Sequence, residues 1–523
     1  MGFQSILFGH TEPELMKETP AFFKDLQLDY LIDRIMEQVD GYQTQTYFYT
    51  LPGSEDVIRY RQQICQDMES EALCAVLRGF CRRMAESRKI HNLSLESKGE
   101  VASATYHLQA ATLYREALQI LHKELEAITE DISSEGMKEF LAYVQEEMER
   151  QETEGFTEAL QNANKFFSEL KFTLSMDTDK LIVSEETAGN KKKLLKKKET
   201  EPVKNYFEEL AKLLGVEAEE RYLAMTEIFP DPLKISRLEQ VIIGILKKSK
   251  PKVFAEISGF KQRFPKFYSD VLLTFEEEIQ FYLSFQKFKI RTRGMGYPMG
   301  MPAVSESGEF SGREVYDIAL VWKQEFNDYE VVSNNFSMKD HPCFFVVTGP
   351  NQGGKTTFAR SVGQAVYFSL MGLSANAESF IMPMFSGIST HFEAEETLQS
   401  NSGKLKEEIN RLIPMMQKEC NRSAFVILNE LFTTATTHDA MVMGRRVMES
   451  FLERKCYGIY VTHIQELAEE TNEIISLVAQ LEPGQESVRS YRLLPMKAQG
   501  YGYSDALVKK FHLEYEEIVR RLS

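Results

Sequence analysis

Apolar residues recur at helical spacing through the first half of the chain and gather into short continuous runs in the second. Ala111, Tyr114, Leu118, Leu121, Leu125 and Ile128 follow at 3-4-3-4-3 spacing, which sets them on one stripe of a long helix. Leu272, Phe275, Ile279 and Tyr282 repeat the stripe further on. Such stripes fit the paired helices of a rod or lever, and equally fit an ordinary helical bundle. Between them Phe172, Leu174 and Met176 alternate with Thr173 and Ser175, and Leu181, Ile182 and Val183 follow. That alternation predicts a small hairpin.

The pattern changes near residue 290. From there, runs rich in Val, Ile and Phe alternate with helical stretches, as in an α/β domain. Strands are predicted over 343–348, 424–428 and 457–461, and a helix from Thr357. The Gly- and Pro-dense stretch Gly294 to Pro302 reads as the entry linker. The expected chain is multidomain. An extension over 1–21 precedes a mostly α-helical region over 22–290, and an α/β domain fills 291–523.

Length and composition adjust this picture little. At roughly 150 residues per domain, 523 residues suggest about three or four domains. A 43% hydrophobic and 27% charged chain is not collagenous, low in complexity or wholly disordered. The net charge of −17 excludes a uniformly basic nucleic-acid coat but leaves room for a local basic groove. One candidate is the run Lys191, Lys192, Lys193, Lys196, Lys197 and Lys198, six lysines in eight residues. It reads as a solvated surface loop and as an electrostatic hook for phosphates, and the two readings are compatible. No stretch of 18 apolar residues occurs, so no membrane span is expected. The opening residues lack the basic and apolar regions of a signal peptide. Cys65, Cys74, Cys81, Cys343, Cys420 and Cys456 are scattered, which fits buried thiols in a reducing cytoplasm. The nine histidines form no H-x-x-x-H or H-x-H pair, so no zinc site is expected.

The sharpest chemistry follows the first predicted strand. Gly349-Pro350-Asn351-Gln352-Gly353-Gly354-Lys355-Thr356 matches G-x-x-x-x-G-K-[ST] in full, and Thr357 opens a helical stretch. Glycines let backbone amides curl round a phosphate, and the helix N-terminus adds its dipole. Lys355 is placed to reach the β- and γ-phosphates, and the Thr356 hydroxyl to ligate Mg2+. The second strand ends in Asn429-Glu430. Glu430 stands where P-loop ATPases keep a base or water-orienting group, and Asn429 where they keep the Asp near Mg2+. An amide oxygen can still accept a hydrogen bond but carries no charge, so turnover is expected to be slow. The third strand ends in Thr462-His463, a histidine placed to sense the γ-phosphate.

Together these pieces resemble the MutS-type ATPases of the wider ABC class. The phosphate loop, the stretch Asn429 to Ala440 and Val461-Thr462-His463-Ile464-Gln465-Glu466-Leu467 are similar to that family's Walker A, Walker B with D-loop, and A-T-H-x-x-E-L motifs. Val332-Ser333-Asn334-Asn335 resembles its V-P-N-D motif, which makes Asn334 a nucleotide-pocket residue by resemblance. Gln499-Gly500-Tyr501-Gly502 resembles its S-Y-G stretch. Ser402 and Glu407 match two positions of the S-T-F-x-x-E signature, whose serine reaches the partner subunit's γ-phosphate; the Thr and Phe are replaced. The resemblance is specific over about 295–523 and looser over 22–290, where 172–203 falls at the place of a clamp tip.

The resemblance implies ATP and Mg2+ as cofactors, a homodimer with composite sites, and DNA as partner, as branched, mismatched or otherwise distorted duplex. It implies no mismatch-reading wedge, connector or Smr nuclease domain within this sequence. A ribosome- or RNA-structure-binding ATPase is the alternative, as is a regulatory protein that binds ATP and barely hydrolyses it.

Overall fold

The computed structural model describes residues 2–168 apart from 38, 40 and 43, then 172–177, 180–185, 193–194, 237–324, 329–338, 341–392, 403–417, 423–482, 485–498 and 519–521. The helices before the first strand are α1 (Phe22–Leu26), α2 (Leu28–Met36), α3 (Gln45–Tyr49), α4 (Glu55–Asp67), α5 (Glu71–Glu96), α6 (Glu100–Ala127), α7 (Glu135–Thr153) and α8 (Phe156–Ser168). Strands β1 (Phe172–Asp177), β2 (Lys180–Glu185) and β3 (Lys193–Leu194) lead to α9 (Arg237–Ser249), α10 (Pro251–Arg263) and α11 (Asp270–Gly294). The remainder alternates: β4 (Ala303–Val304), β5 (Phe310–Val315), α12 (Ile318–Gln324), β6 (Asn334–Met338), β7 (Phe344–Thr348), α13 (Lys355–Leu370), β8 (Ser379–Met382) and β9 (Ile388–His391). It ends with α14 (Lys404–Gln417), β10 (Phe425–Asn429), α15 (Thr437–Leu452), β11 (Tyr457–Val461), β12 (Ile474–Glu482) and β13 (Gln485–Pro495).

These elements form two compact units. One comprises Met1–Gly2, Glu71–Ile132 and Lys138–Glu276; the other Phe3–Ser70, Ser133–Met137 and Glu277–Ser523.

The first unit is helical. Helices α5 and α6 pack along each other, and α8 and α10 pack on α6. The predicted stripe on α6 is fully buried at Ala111, Tyr114, Leu118, Leu121 and Leu125, while Ile128 falls just past the helix end. Phenylalanines fill the spaces between helices. Phe140 stacks on Phe275 with ring centroids 3.5 Å apart, and Tyr114 meets Tyr268 edge-on at 5.0 Å. The predicted hairpin forms, with β1 antiparallel to β2 from Phe172↔Glu185 to Asp177↔Lys180. Of the lysine run, Lys193 begins β3 beside β2. Lys191, Lys192, Lys196, Lys197 and Lys198 lie outside the described residues.

The second unit is mixed α/β. Its larger sheet has the order β13-β12-β7-β11-β10-β9. The pairs from β12 through β9 are parallel, and β13 closes one edge antiparallel. Every position of β7, β10 and β11 is buried, which explains their continuous apolar runs: parallel strands covered on both faces have no polar side to show. A smaller sheet, β4-β8-β5-β6, packs beside it through Phe310, whose ring meets Phe425 at 5.4 Å.

Composition grouped residues 22–70 with the helical half, yet they pack in the second unit. Phe23 lies edge-on to Tyr367 at 5.5 Å. The Gln364 amide donates to the Leu26 carbonyl at 3.0 Å, and the Tyr367 hydroxyl to that of Phe48 at 2.7 Å. Arg61 is wholly buried beside the rings of Phe8 and Phe281 and donates to the Leu7 carbonyl at 2.8 Å. Periodicity marks which face of a helix is buried, but not against what. The stripe on α11 also differs from the expected narrow seam. Phe281, Leu283, Phe285 and Phe288 are buried besides Leu272, Phe275, Ile279 and Tyr282, so the helix is covered on more than one side.

Candidate functional site

Strand β7 ends at Thr348 inside the sheet, and α13 starts at Lys355, two residues before the predicted Thr357. The six residues between them turn sharply. Gly349, Gln352 and Gly354 have φ of +125°, +60° and +89°. At Gly349 a Cβ would lie 2.9 Å from that of Ala479, so the conformation and the neighbour both require glycine. Gly354 is the N-cap of α13 and supplies no side-chain cap. The leading amides of α13 are therefore not occupied by a capping side chain, the usual condition for anion binding at a helix start.

The side chains that follow converge. The Lys355 ammonium is nearly buried and donates to the carbonyls of Gly349 (3.0 Å) and Pro350 (3.1 Å). Burial pulls its pKa down, and the Glu430 carboxylate opposes that. The Thr356 hydroxyl donates to Asn429 Oδ1 at 3.0 Å. Asn429 thus fills the acceptor position that an aspartate would, without its charge.

Glu430 follows β10 directly, at φ +52°. Its amide donates to the Val461 carbonyl at 2.8 Å, continuing the parallel ladder, and its carboxylate lies 2.9 Å from His463 Nε2. The hydrogen bond from His463 holds the Glu430 pKa below the usual carboxylate range; burial opposes, and the charge of Lys355 assists. The adjacent tips of β10 and β11 thereby place an acid and an imidazole side by side.

A cavity of about 500 Å³ opens over this loop. Asn334, Asn351, Gln352, Gly353, Gly354, Lys355, Thr356, Thr357, Glu430 and His463 all line it. Gly349 and Pro350 form the start of the loop, and Asn429 lies behind Thr356. Asn334 has a second task. Its amide nitrogen donates to the Tyr491 carbonyl at 3.1 Å, and its oxygen accepts from Leu493 N at 2.8 Å. It fastens β13 to β6. Ser402 lies outside the described residues, while α14, which carries Glu407, follows it.

Several lining residues escaped the sequence reading: Asp317, Leu320, Tyr329, Val331 and Tyr491. Asp317 is buried, accepts from the amides of Ala319 and Leu320, and pairs with Arg360 at 2.5 Å. An Asp just before a short apolar helix is a readable capping signal. Tyr491 gave none, because only the pairing of β13 brings it to the loop.

Two families match this chain in separate stretches. MutS domain V matches residues 345–494, and the MutS2 N-terminal domain matches residues 53–227. Among curated relatives, the DNA mismatch repair protein MutS of Thermotoga maritima is 31% identical over 138 residues, 26% of this chain and 17% of that protein. The Endonuclease MutS2 of Thermus thermophilus is 25% identical over 195 residues, 37% of this chain and 26% of that protein. The aligned part thus spans about a sixth to a quarter of each relative's length. Among the described residues no helix is long and apolar enough to cross a membrane. In these two separate stretches the chain is similar to MutS-family proteins.

Proposed function

We propose that this chain binds ATP with Mg2+, hydrolyses it slowly, and acts as a homodimeric clamp whose grip on branched or distorted DNA depends on the bound nucleotide. The observation that carries the reading is the convergence of the glycine loop, Lys355, the Thr356–Asn429 bond and the Glu430–His463 pair on one cavity. Its volume of about 500 Å³ suits a nucleotide. Leu320, Val331, Val332 and Tyr491 supply apolar wall for a base, and Lys355 with the α13 amides supplies positive potential for phosphates.

Thr356 and Asn429 offer neutral oxygen donors, which fit an Mg2+ that keeps waters and phosphate oxygens as its other ligands. Bound there, the ion neutralises charge on the phosphates. Glu430, kept ionised by its neighbours, orients the attacking water and accepts its proton. His463 holds that carboxylate in place. The uncharged Asn429 is the reason for slow turnover.

The DNA part of the reading rests on the named relatives and on the lysine run. Lys355→Ala should weaken ATP binding about a hundredfold or more. Glu430→Ala should leave ATP binding intact and cut hydrolysis by about two to four orders of magnitude. Fluorescence anisotropy on branched and linear duplexes, with and without ATP, tests the clamp. Affinity should fall steeply with salt, and replacing the six lysines by Ala should flatten that slope. No binding to any DNA at moderate salt would move the partner to a ribosome or RNA and leave the ATPase reading standing. The regulatory alternative has its own handle in Asn429: Asn429→Asp should raise turnover, and unchanged turnover counts against Asn429 as its brake.

A further inference from the structure

Glu430 sits at the head of an unusual turn. Both Glu430 and Phe432 are non-glycine residues at left-handed φ, +52° and +61°. Such a conformation is unfavourable for an L-residue with a side chain and persists only where its surroundings impose it. One side of the turn is fixed by β11, through the bond from the Glu430 amide to Val461. The other side is fixed by α14. Glu408 Oε1 accepts a hydrogen bond from the Phe432 amide at 2.7 Å, and the Phe432 carbonyl accepts from Ala435 N at 3.0 Å. The side chains of Leu431 and Phe432 are buried with Leu412 of α14, and Leu405 and Ile409 of the same helix face pack against that cluster.

The carboxylate of Glu408 is thus a charge-assisted acceptor for the backbone two residues beyond the proposed base. A main-chain rotation there would carry the Glu430 side chain away from His463, because the left-handed residues on either side of Leu431 set the direction of the tip. Helix α14 begins within the stretch that resembles the signature motif and carries its Glu407, so the bond ties that helix to the water-orienting group within one subunit.

We infer that Glu408 is a positioning residue for Glu430: through the Phe432 amide it holds the turn that keeps Glu430 aimed beside His463, and so couples α14 to hydrolysis. The inference rests on the ATPase reading above.

The test compares Glu408→Ala, Glu408→Gln and Leu412→Ala in the full chain, with Lys355→Ala as the reference for lost nucleotide binding. Glu408→Ala should lower kcat about tenfold while KM and the Kd for a fluorescent ATP analogue stay within about twofold. Glu408→Gln retains an oxygen that accepts from Phe432, so its rate should stay close to that of the unaltered chain. Leu412→Ala loosens the packing of α14 without touching the bond; it should lower Tm and leave kcat within about twofold. A Glu408→Ala protein with unchanged kcat overturns the inference. So does a loss of kcat in Glu408→Ala and Leu412→Ala that merely tracks Tm. If the unaltered chain binds ATP no better than Lys355→Ala, the ATPase reading falls and takes this inference with it, an outcome told apart by the binding titration alone.

Discussion

The two units are stabilised around different kinds of interior. In the helical unit the core is a stripe of Ala, Leu and Tyr on α6 closed by aromatic rings, and its polar groups tie helix to helix, as where the Ser94 and Ser103 side chains each bond the other's carbonyl. In the α/β unit the core is a fully covered parallel sheet, and polar groups are carried inward to specific places. Asp317 with Arg360, Thr356 with Asn429 and Asn334 with β13 all border the same cavity. A buried polar group is costly unless its partners are set for it. The α/β unit concentrates such groups where a charged ligand would compensate them. The comparison teaches that similar burial supports shape in one unit and chemistry in the other.

That contrast can be broken by substitution. Leu118→Ala removes a wholly buried side chain from the α6 stripe and should cost about 2–5 kcal/mol in urea unfolding. Nucleotide affinity should stay unchanged; a parallel loss of affinity would mean that the division of labour is wrong. Gly354→Ala has room for its Cβ but not the backbone freedom for φ +89°, and should cost about 1–2 kcal/mol. This time the loss should appear in phosphate binding as well, as measured by nucleotide titration. The smallest effect is acid-dependent. Burial pushes the His107 pKa down to about 4, with His91 and Lys261 adding to it and the Phe264 carbonyl opposing. An unfolded chain protonates this histidine near 6.5, so its contribution is complete above that pH and is lost progressively as pH falls towards 4. His107→Gln should flatten the fall of Tm over that window and change little at pH 8; an unaltered acid slope would remove His107 as its cause.

The parts of the site that were legible in the sequence are those built from contiguous residues. The strand, glycine loop and helix from Cys343 to Arg360 must occur together for phosphate chemistry, and they do. The strand tips at Glu430 and His463 were legible for the same reason, because each ends an apolar run. Tyr329 and Tyr491 were not, since sheet pairing rather than local pattern delivers them. Asn334 was read for its resemblance, while its bonds to Tyr491 and Leu493 depend on a strand some 160 residues away. The burial of residues 3–70 in the α/β unit was illegible too: their apolar faces show at helical spacing, but the surface that receives them, around Gln364 and Tyr367, is encoded far along the chain.

That last arrangement has a consequence during synthesis. Leu26 is bonded to Gln364, 338 residues later, and Phe48 to Tyr367, 319 residues later. At about 5–20 residues per second, a ribosome needs roughly 15–60 s to make the second half of each pair. For most of that interval Phe22, Phe23 and Phe48 have left the exit tunnel while their resting place has not yet been translated. The nascent segment therefore waits with its apolar faces uncovered, and it reaches its final place only after Gln364 and Tyr367 have been made.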